Sequence, residues 1–302
     1  MEISEKIEKL KKERRAVILA HNYQRPEVQD CADFVGDSLE LSIKAADTDA
    51  DVIVFCGVHF MAETAKILSP EKTVLLPDKA AGCPMADMIT SEQLRLLKSE
   101  HPRAKAICYV NTSAAVKAEC DLCCTSANAV RMVDEALKDA EEVIFVPDRN
   151  LAAFVAEKTG RAMVVWQGCC PVHDAITAGQ IQNARLLHPG AAVMVHPECR
   201  PEVTALADET LSTGGMSRYA RETDIAEIIV GTDTGMIHKL QKENPGKTFF
   251  PLSEAFICAD MKRTTIDKVL FSLENMTYCV EVPEEISVRA RKGIEQMLTA
   301  SR

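Results

Sequence analysis

Long apolar runs are missing from this sequence. No stretch of its 302 residues reaches the roughly 18–20 consecutive apolar positions that a membrane-crossing helix requires, so no membrane partner is expected. The opening "MEISEKIEKLKKERRAV" is charged throughout and lacks the apolar core of a secretory signal. It predicts a short amphipathic helix after Ser4 and a cytoplasmic location. Positive charge is also scarce: Lys and Arg total 35 against 45 for Asp and Glu, a net charge of −10. Nucleic-acid binding needs a cationic face, so no nucleic-acid partner is expected, and any anionic substrate has to be held by local donors. There is no G-x-G-x-x-G and no Walker A motif, and "GTDTG" at 231–235 resembles a phosphate loop only superficially. A nucleotide cofactor is therefore not expected.

Cysteine, by contrast, is abundant, at twelve residues. In a reducing compartment these are not read as structural disulfides. Most are expected to be small buried hydrophobes, among them Cys31, Cys56, Cys108, Cys199 and Cys279, with a few binding metal.

Internal repetition decides which few. "CPMADMIT" (83–90) lies over "CPVHDAIT" (170–177), and the register continues through Gln93 over Gln180 and His101-Pro102 over His188-Pro189. A fainter third copy follows. Each copy opens with an apolar strand, "AVILAHNY", "KAICYVN" or "AAVMVHPE". A loop leads to a Ser or Thr that starts a helix, then come a second strand, a second helix and a third strand ending in cysteine. Short apolar strands alternating with helices indicate βαβ units and parallel sheets, joined by right-handed crossovers.

The expected fold is α/β: three homologous three-layer α/β/α domains with parallel sheets in a pseudo-threefold arrangement around a central active site. The domains are expected at 1–102 with the N-terminal helix, 103–189, and 190–302 with the C-terminal helix.

Three sets of residues keep the repeat spacing. His21, Tyr109 and His196 are 88 and 87 apart, as are Ser38, Ser126 and Thr213; Cys83, Cys170 and Cys258 are 87 and 88 apart. Ligands in such sheets bind beyond the carboxyl ends of strands, so all nine should converge on one cavity. Of the adjacent pair Cys169 and Cys170, only Cys170 belongs to the repeat.

None of the three cysteines has the local partner that a closed structural zinc site uses. Three thiolates on a [4Fe–4S] cluster leave one iron without a protein ligand, free to act as a Lewis acid, so a cluster is favoured over zinc and zinc over plain burial. Cys120-x2-Cys123 has no counterpart in the other copies and is discounted. Ser38, Ser126 and Thr213 are read as helix N-caps whose helix ends attract carboxylates or phosphate. Strand alternation sets His21 with Tyr23, Tyr109 with Asn111, and His196 with Glu198, groups suited to proton transfer. His173 is read equally as a cavity residue or a helix cap. His59, His101, His188 and His238 are read as structural.

The sequence also resembles the quinolinate synthase family, the iron–sulfur enzymes of NAD biosynthesis, over nearly its whole length. The resemblance rests on "AHNYQ" (20–24), "GDS" (36–38), "YVNTSA" (109–114), "CTSANA" (124–129), "GCCPVH" (168–173), "VHPEC" (195–199), "STGGM" (212–216) and the cysteine before "ADM". It implies condensation of iminoaspartate with dihydroxyacetone phosphate to quinolinate, releasing phosphate and two waters. It implies cluster ligands Cys83, Cys170 and Cys258. The implied substrate contacts are His21, Ser38, Tyr109, Asn111, Ser126, His196, Glu198 and Thr213, with Tyr23, His196 and Glu198 moving protons. Under this resemblance an L-aspartate oxidase or aspartate dehydrogenase supplies the imine. Two departures stand out: Ala127, where similar sequences carry a hydroxyl, and an isolated Cys258 where some relatives have a C-x2-C-x2-C run. Another cluster-dependent hydro-lyase and a cluster-bearing sensor are the rival readings.

Overall fold

The structure, a computed structural model, describes residues 2–301. Three parallel four-stranded sheets, each flanked by helices, give the expected α/β architecture. The first unit contains α1 (Ile3–Arg14), β1 (Ala16–His21), α2 (Pro26–Cys31), β2 (Phe34–Gly36), α3 (Ser38–Asp47), β3 (Val52–Cys56), α4 (His59–Leu68) and β4 (Thr73–Leu75), and is followed by α5 (Ser91–Glu100). The second contains β5 (Ala104–Tyr109), α6 (Ala114–Lys117), β6 (Leu122–Cys124), α7 (Ala129–Arg131), β7 (Glu142–Val146), α8 (Arg149–Thr159) and β8 (Val164–Val165), then α9 (Pro171–Asp174) and α10 (Ala178–Leu187). The third contains β9 (Ala192–Val195), α11 (Pro201–Thr204), β10 (Glu209–Thr210), α12 (Thr213–Glu222), β11 (Glu227–Gly231), α13 (Gly235–Glu243) and β12 (Thr248–Pro251), followed by α14 (Ile266–Asn275) and α15 (Glu284–Ser301).

The strand order is the same in all three sheets: β2-β1-β3-β4, β6-β5-β7-β8 and β10-β9-β11-β12. The central strands are apolar almost throughout because helices cover both of their faces; β3 is buried at every position. The sequence predicts three strands per unit, and the structure adds a short edge strand, β2, β6 or β10, where a loop was expected. One aspartate per unit locks that edge. Asp33, Asp121 and Asp208 accept from the backbone N–H of Ile18, Ala106 and Val193 at 2.8, 2.9 and 2.7 Å. Each cysteine of the repeated set lies beyond the last strand of its unit, in the segment leading to the next helix, and not at the strand end itself.

Those helices cross between units. α5 packs on α6 and α10 on α11, while α14 returns to pack on α1, α2 and β3, so the crossings form a closed ring. The last crossing is apolar: Val269, Leu270 and Leu273 share a buried cluster with Ile7, Ile18, Val54 and Leu75 of the first unit. α15 lies over β6, α6 and α4. A Cβ at its Gly293 would sit 3.3 Å from Cys123 Sγ, so a side chain there would press the helix away from the edge strand by a few tenths of an ångström.

Candidate active site

The three sheets point their carboxyl ends at one small cavity. All twelve residues singled out by sequence line it: Cys83, Cys170 and Cys258; His21, Tyr109 and His196; Tyr23, Asn111 and Glu198; Ser38, Ser126 and Thr213. His173 lines it too, whereas Cys169 does not. No Lys or Arg is among the lining residues, so an anion held here would rely on hydroxyls, imidazoles and backbone amides.

The hydroxyl ring differs from expectation by one residue. In two units the capping is done by the residue before: Asp37 accepts from Leu39 and Glu40 N–H at 3.0 and 2.9 Å, and Ser212 from Gly215 N–H at 3.1 Å; in the second unit Thr125 accepts from Ala127 N–H at 3.2 Å within the turn before α7. Ser38 and Thr213 therefore stand at the first position inside α3 and α12, released from capping, whereas Ser126 lies in the turn that precedes α7. Ser126 Oγ faces His196 Nε2 at 3.2 Å, and Thr213 Oγ1 accepts from Asn22 Nδ2 at 2.8 Å.

The cysteines share a local design. Each sulfur accepts from the backbone N–H three residues on, at Ala86, His173 and Met261, where a short helical turn begins. Two of the loops are anchored by a buried aspartate: Asp148 accepts from Cys170 N–H at 3.0 Å and Asp233 from Cys258 N–H at 2.6 Å. Val58 holds the equivalent place in the first unit. Burial pushes the Cys83 thiol up to about 12 and raises Cys170 and Cys258 as well, so thiolates there call for a compensating cation. Ligand atoms of Cys170, His173 and Glu198 lie within 4.8 Å of one another and could hold one ion, but the three cysteine sulfurs do not form such a group. Cys123 lies outside the cavity with its sulfur 3.5 Å from Cys108.

The imidazoles fall into two kinds. His21 Nδ1 accepts from Tyr23 N–H at 3.1 Å, and His196 Nδ1 accepts from Glu198 N–H at 3.3 Å, the same bond in two repeats. An Nδ1 that accepts leaves the proton on Nε2. Burial drives both imidazoles down to about 3, so at neutral pH each is an uncharged Nε2–H donor. His173 differs: its Nδ1 lies 2.6 Å from Glu198 Oε2 and its ring stacks on His196 at 4.5 Å. Burial alone would raise the Glu198 carboxyl, but His196 and His173 beside it, with hydrogen bonds from His173 and Tyr109, bring it down to about 2. It is a carboxylate, and His173 Nδ1 therefore donates to it. Burial and then Glu198 push the Tyr23 and Tyr109 phenols well above their ordinary value.

Sequence reasoning left His173 undecided and passed over Thr232, which touches both Tyr23 and His173. It also passed over Asp148 and Asp233. The four histidines expected to be structural are outside the cavity: His59 is beside Glu63, His101 beside Glu142 and His238 beside Asp30, and His188 stacks on Phe250. Among the described residues no helix is long and apolar enough to cross a membrane.

Comparison with known proteins agrees with this geometry. The family described as Quinolinate synthetase A protein matches residues 5–299. The chain is 61% identical over 296 residues to the quinolinate synthase of Dehalococcoides mccartyi strain CBDB1, covering 98% of this chain and 97% of that one. It is 53% identical to the quinolinate synthase of Methanoregula boonei over 98% and 97% of the two chains. Against that of Geobacter metallireducens it is 52% identical over 99% and 98%.

Proposed function

This chain belongs to the quinolinate synthetase A family and is an enzyme of NAD biosynthesis, and from that premise we propose that it condenses iminoaspartate with dihydroxyacetone phosphate to quinolinate, releasing phosphate and two waters. The observation that carries the reading is a single cavity in which one cysteine from every repeat meets the Glu198–His173 pair. Cys83, Cys170 and Cys258 would hold a [4Fe–4S] cluster. Their shared place on the cavity wall and their amide-bonded sulfurs fit it. Bound there, the cluster supplies Lewis acidity toward a substrate oxygen through its iron without a cysteine.

The chain's own residues bind and move protons. Ser38, Ser126 and Thr213 present hydroxyls to carboxylates, the starts of α3 and α12 add their amide ends, and Asn111 adds a polar side chain to the same wall. His21 and His196 act as neutral N–H donors, so His196 orients substrate oxygen and Glu198 and Tyr23 remain for proton transfer. Tyr109 donates to Glu198 Oε1 at 2.5 Å, and this leaves the carboxylate poised between two donors. Val58, Phe60, Met85 and Met261 close the remaining wall, limiting water and strengthening these polar contacts. The imine would come from an aspartate oxidase or aspartate dehydrogenase, and twelve free cysteines suit a reducing cytoplasm.

The test is anaerobic protein mixed with oxaloacetate, ammonia and dihydroxyacetone phosphate, with the pyridine product read directly. Iron and sulfide are measured in parallel. Cys83→Ala, Cys170→Ala and Cys258→Ala are expected to lose the cluster and the product, while Cys169→Ala keeps both. Fully loaded protein that forms no quinolinate would refute the assignment.

A further inference from the structure

Outside the cavity, three thiols of the second unit meet that the proposed reaction does not use. Cys108 on β5 and Cys123 on β6 are direct partners across the parallel pair, and their sulfurs are 3.5 Å apart. Cys120, just after α6, also hydrogen-bonds to Cys108. Cys108 and Cys123 are fully buried, whereas Cys120 is half-buried. The same rungs in the other units are Ala20 opposite Val35 and Val195 opposite Thr210, so the thiols are peculiar to the second unit.

A buried cation stands beside them. The Lys117 side chain is fully buried. Its ammonium donates to Thr112 O and lies 5.3 Å from the Phe60 ring centre, with no ion pair among the described residues. Its charge acts instead on Cys108 and Cys123. Hydrogen bonds from Cys120 and Cys123, with Lys117 and Thr112, outweigh burial and hold the Cys108 thiol well below its ordinary value. Burial and then Cys108 push Cys120 well above its own; Cys108 and then burial do the same to Cys123. Cys108 is therefore the thiolate of the group, and the thiolate is the nucleophile. The three sulfurs do not form a group close enough to hold one ion. The Cys108–Cys123 pair instead suits a covalent bond: adjacent strands run about 4.8 Å apart, within the roughly 4.4–6.8 Å between Cα atoms that disulfides span. The next rung is Tyr109 opposite Cys124, and Ser126 follows two residues on, so the pair sits at the root of two cavity groups.

We propose that Cys108 and Cys123 form a reversible disulfide, exchanged with a small disulfide such as oxidised glutathione through the half-buried Cys120, and that closing it slows the enzyme by displacing Tyr109 and Ser126. The effect on rate rests on the reaction proposed above; the disulfide does not. Cys120 sulfur attacks one sulfur of the glutathione disulfide, whose S–S bond breaks, and one glutathione leaves with the Cys120 proton. The Cys108 thiolate attacks the Cys120 sulfur and expels the second glutathione as a thiolate. Cys123 sulfur then attacks Cys108, the Cys108–Cys120 bond breaks, and the Cys123 proton passes to Cys120. One protein thiolate and one thiol have given two electrons to the glutathione disulfide, which departs as one thiol and one thiolate.

Trypsin cuts after Lys105, Lys117 and Arg131, so Cys108 falls in peptide 106–117 and Cys120, Cys123 and Cys124 in peptide 118–131. Cluster-loaded enzyme is treated without oxygen with excess oxidised glutathione, free thiols are alkylated, and the peptides are read by fragmentation mass spectrometry. Wild type should give the two peptides joined at Cys108–Cys123, and excess reduced glutathione should part them. Cys123→Ala should stop at a Cys108–Cys120 link, and Cys108→Ala should keep glutathione on Cys120. Oxidised wild type with its iron retained should lose about 10- to 100-fold in kcat, the scale of a misplacement of about 1 Å. Reduction should restore the rate, and Cys108→Ala should keep its own rate under the same treatment. Wild-type Cys108 and Cys123 both alkylated after oxidation would overturn the disulfide, and oxidised enzyme at the full rate would overturn its effect on catalysis. Reduced wild type making no quinolinate would instead remove the reaction, and the peptide map would still decide the disulfide.

Discussion

At the scale of single residues, the site divides into what is repeated and what is not. The cysteines, the Ser/Thr hydroxyls and the paired imidazoles recur at repeat spacing, and this makes them visible in the sequence. His173 and Thr232 were not visible that way. Their counterparts are Ala86 and Met261 in the one case and Gly57 and Pro147 in the other, and a search for what recurs passes over such positions. Asp37-Ser38 and Ser212-Thr213 each pair two capping types, and only geometry shows that the first residue caps; Ser126 belongs to a turn before its helix. His21 provides a test of the neutral imidazoles. Its ordinary value of 6.5 applies to the unfolded chain and about 3 to the folded one. Below pH 6.5 the unfolded state takes up a proton that the folded state refuses, so stability is lost as pH falls. Between pH 6.5 and 5.5 this one histidine should cost about 1 kcal/mol. His21→Gln, which cannot titrate, should show a pH dependence shallower by that amount in denaturant unfolding at the two pH values.

At the scale of elements, the short edge strands β2, β6 and β10 escaped the sequence because two or three residues carry too little alternation to register. An aspartate-to-backbone lock in each unit, and not side-chain pattern, holds them in place. The crossing helices were legible, and their starts differ in a measurable way. α5 and α10 begin with reciprocal capping boxes, Thr90 with Gln93 and Thr177 with Gln180. α14 has only Thr265, at 3.4 Å from Lys268 N–H. Thr90→Ala should therefore cost about 1 kcal/mol. Thr265→Ala should cost distinctly less, and the two midpoints in a urea titration make the comparison.

At the scale of the whole molecule, the α/β class and the meeting of three repeats around one cavity followed from spacing and the rule for ligands at strand ends. The closing of the ring did not, because α14 covers a sheet more than two hundred residues earlier in the chain and no local pattern announces such a partner. Leu273, fully buried against the first unit, puts this to the test. Leu273→Ala should destabilise by about 2–5 kcal/mol, and amide exchange should quicken in β1 and β3 before β5 and β7. The line of hydrogen bonds from Tyr109 through Glu198, His173 and Thr232 to Tyr23 has a further implication for ancestry. Three identical subunits around an axis would offer matching thiols and matching alcohols, yet any asymmetric ordering of phenol, alcohol, imidazole and acid would have to appear three times over in the same small space. A lineage could assign those parts singly only after its gene had been copied and joined end to end, so the scaffold preceded its present chemistry.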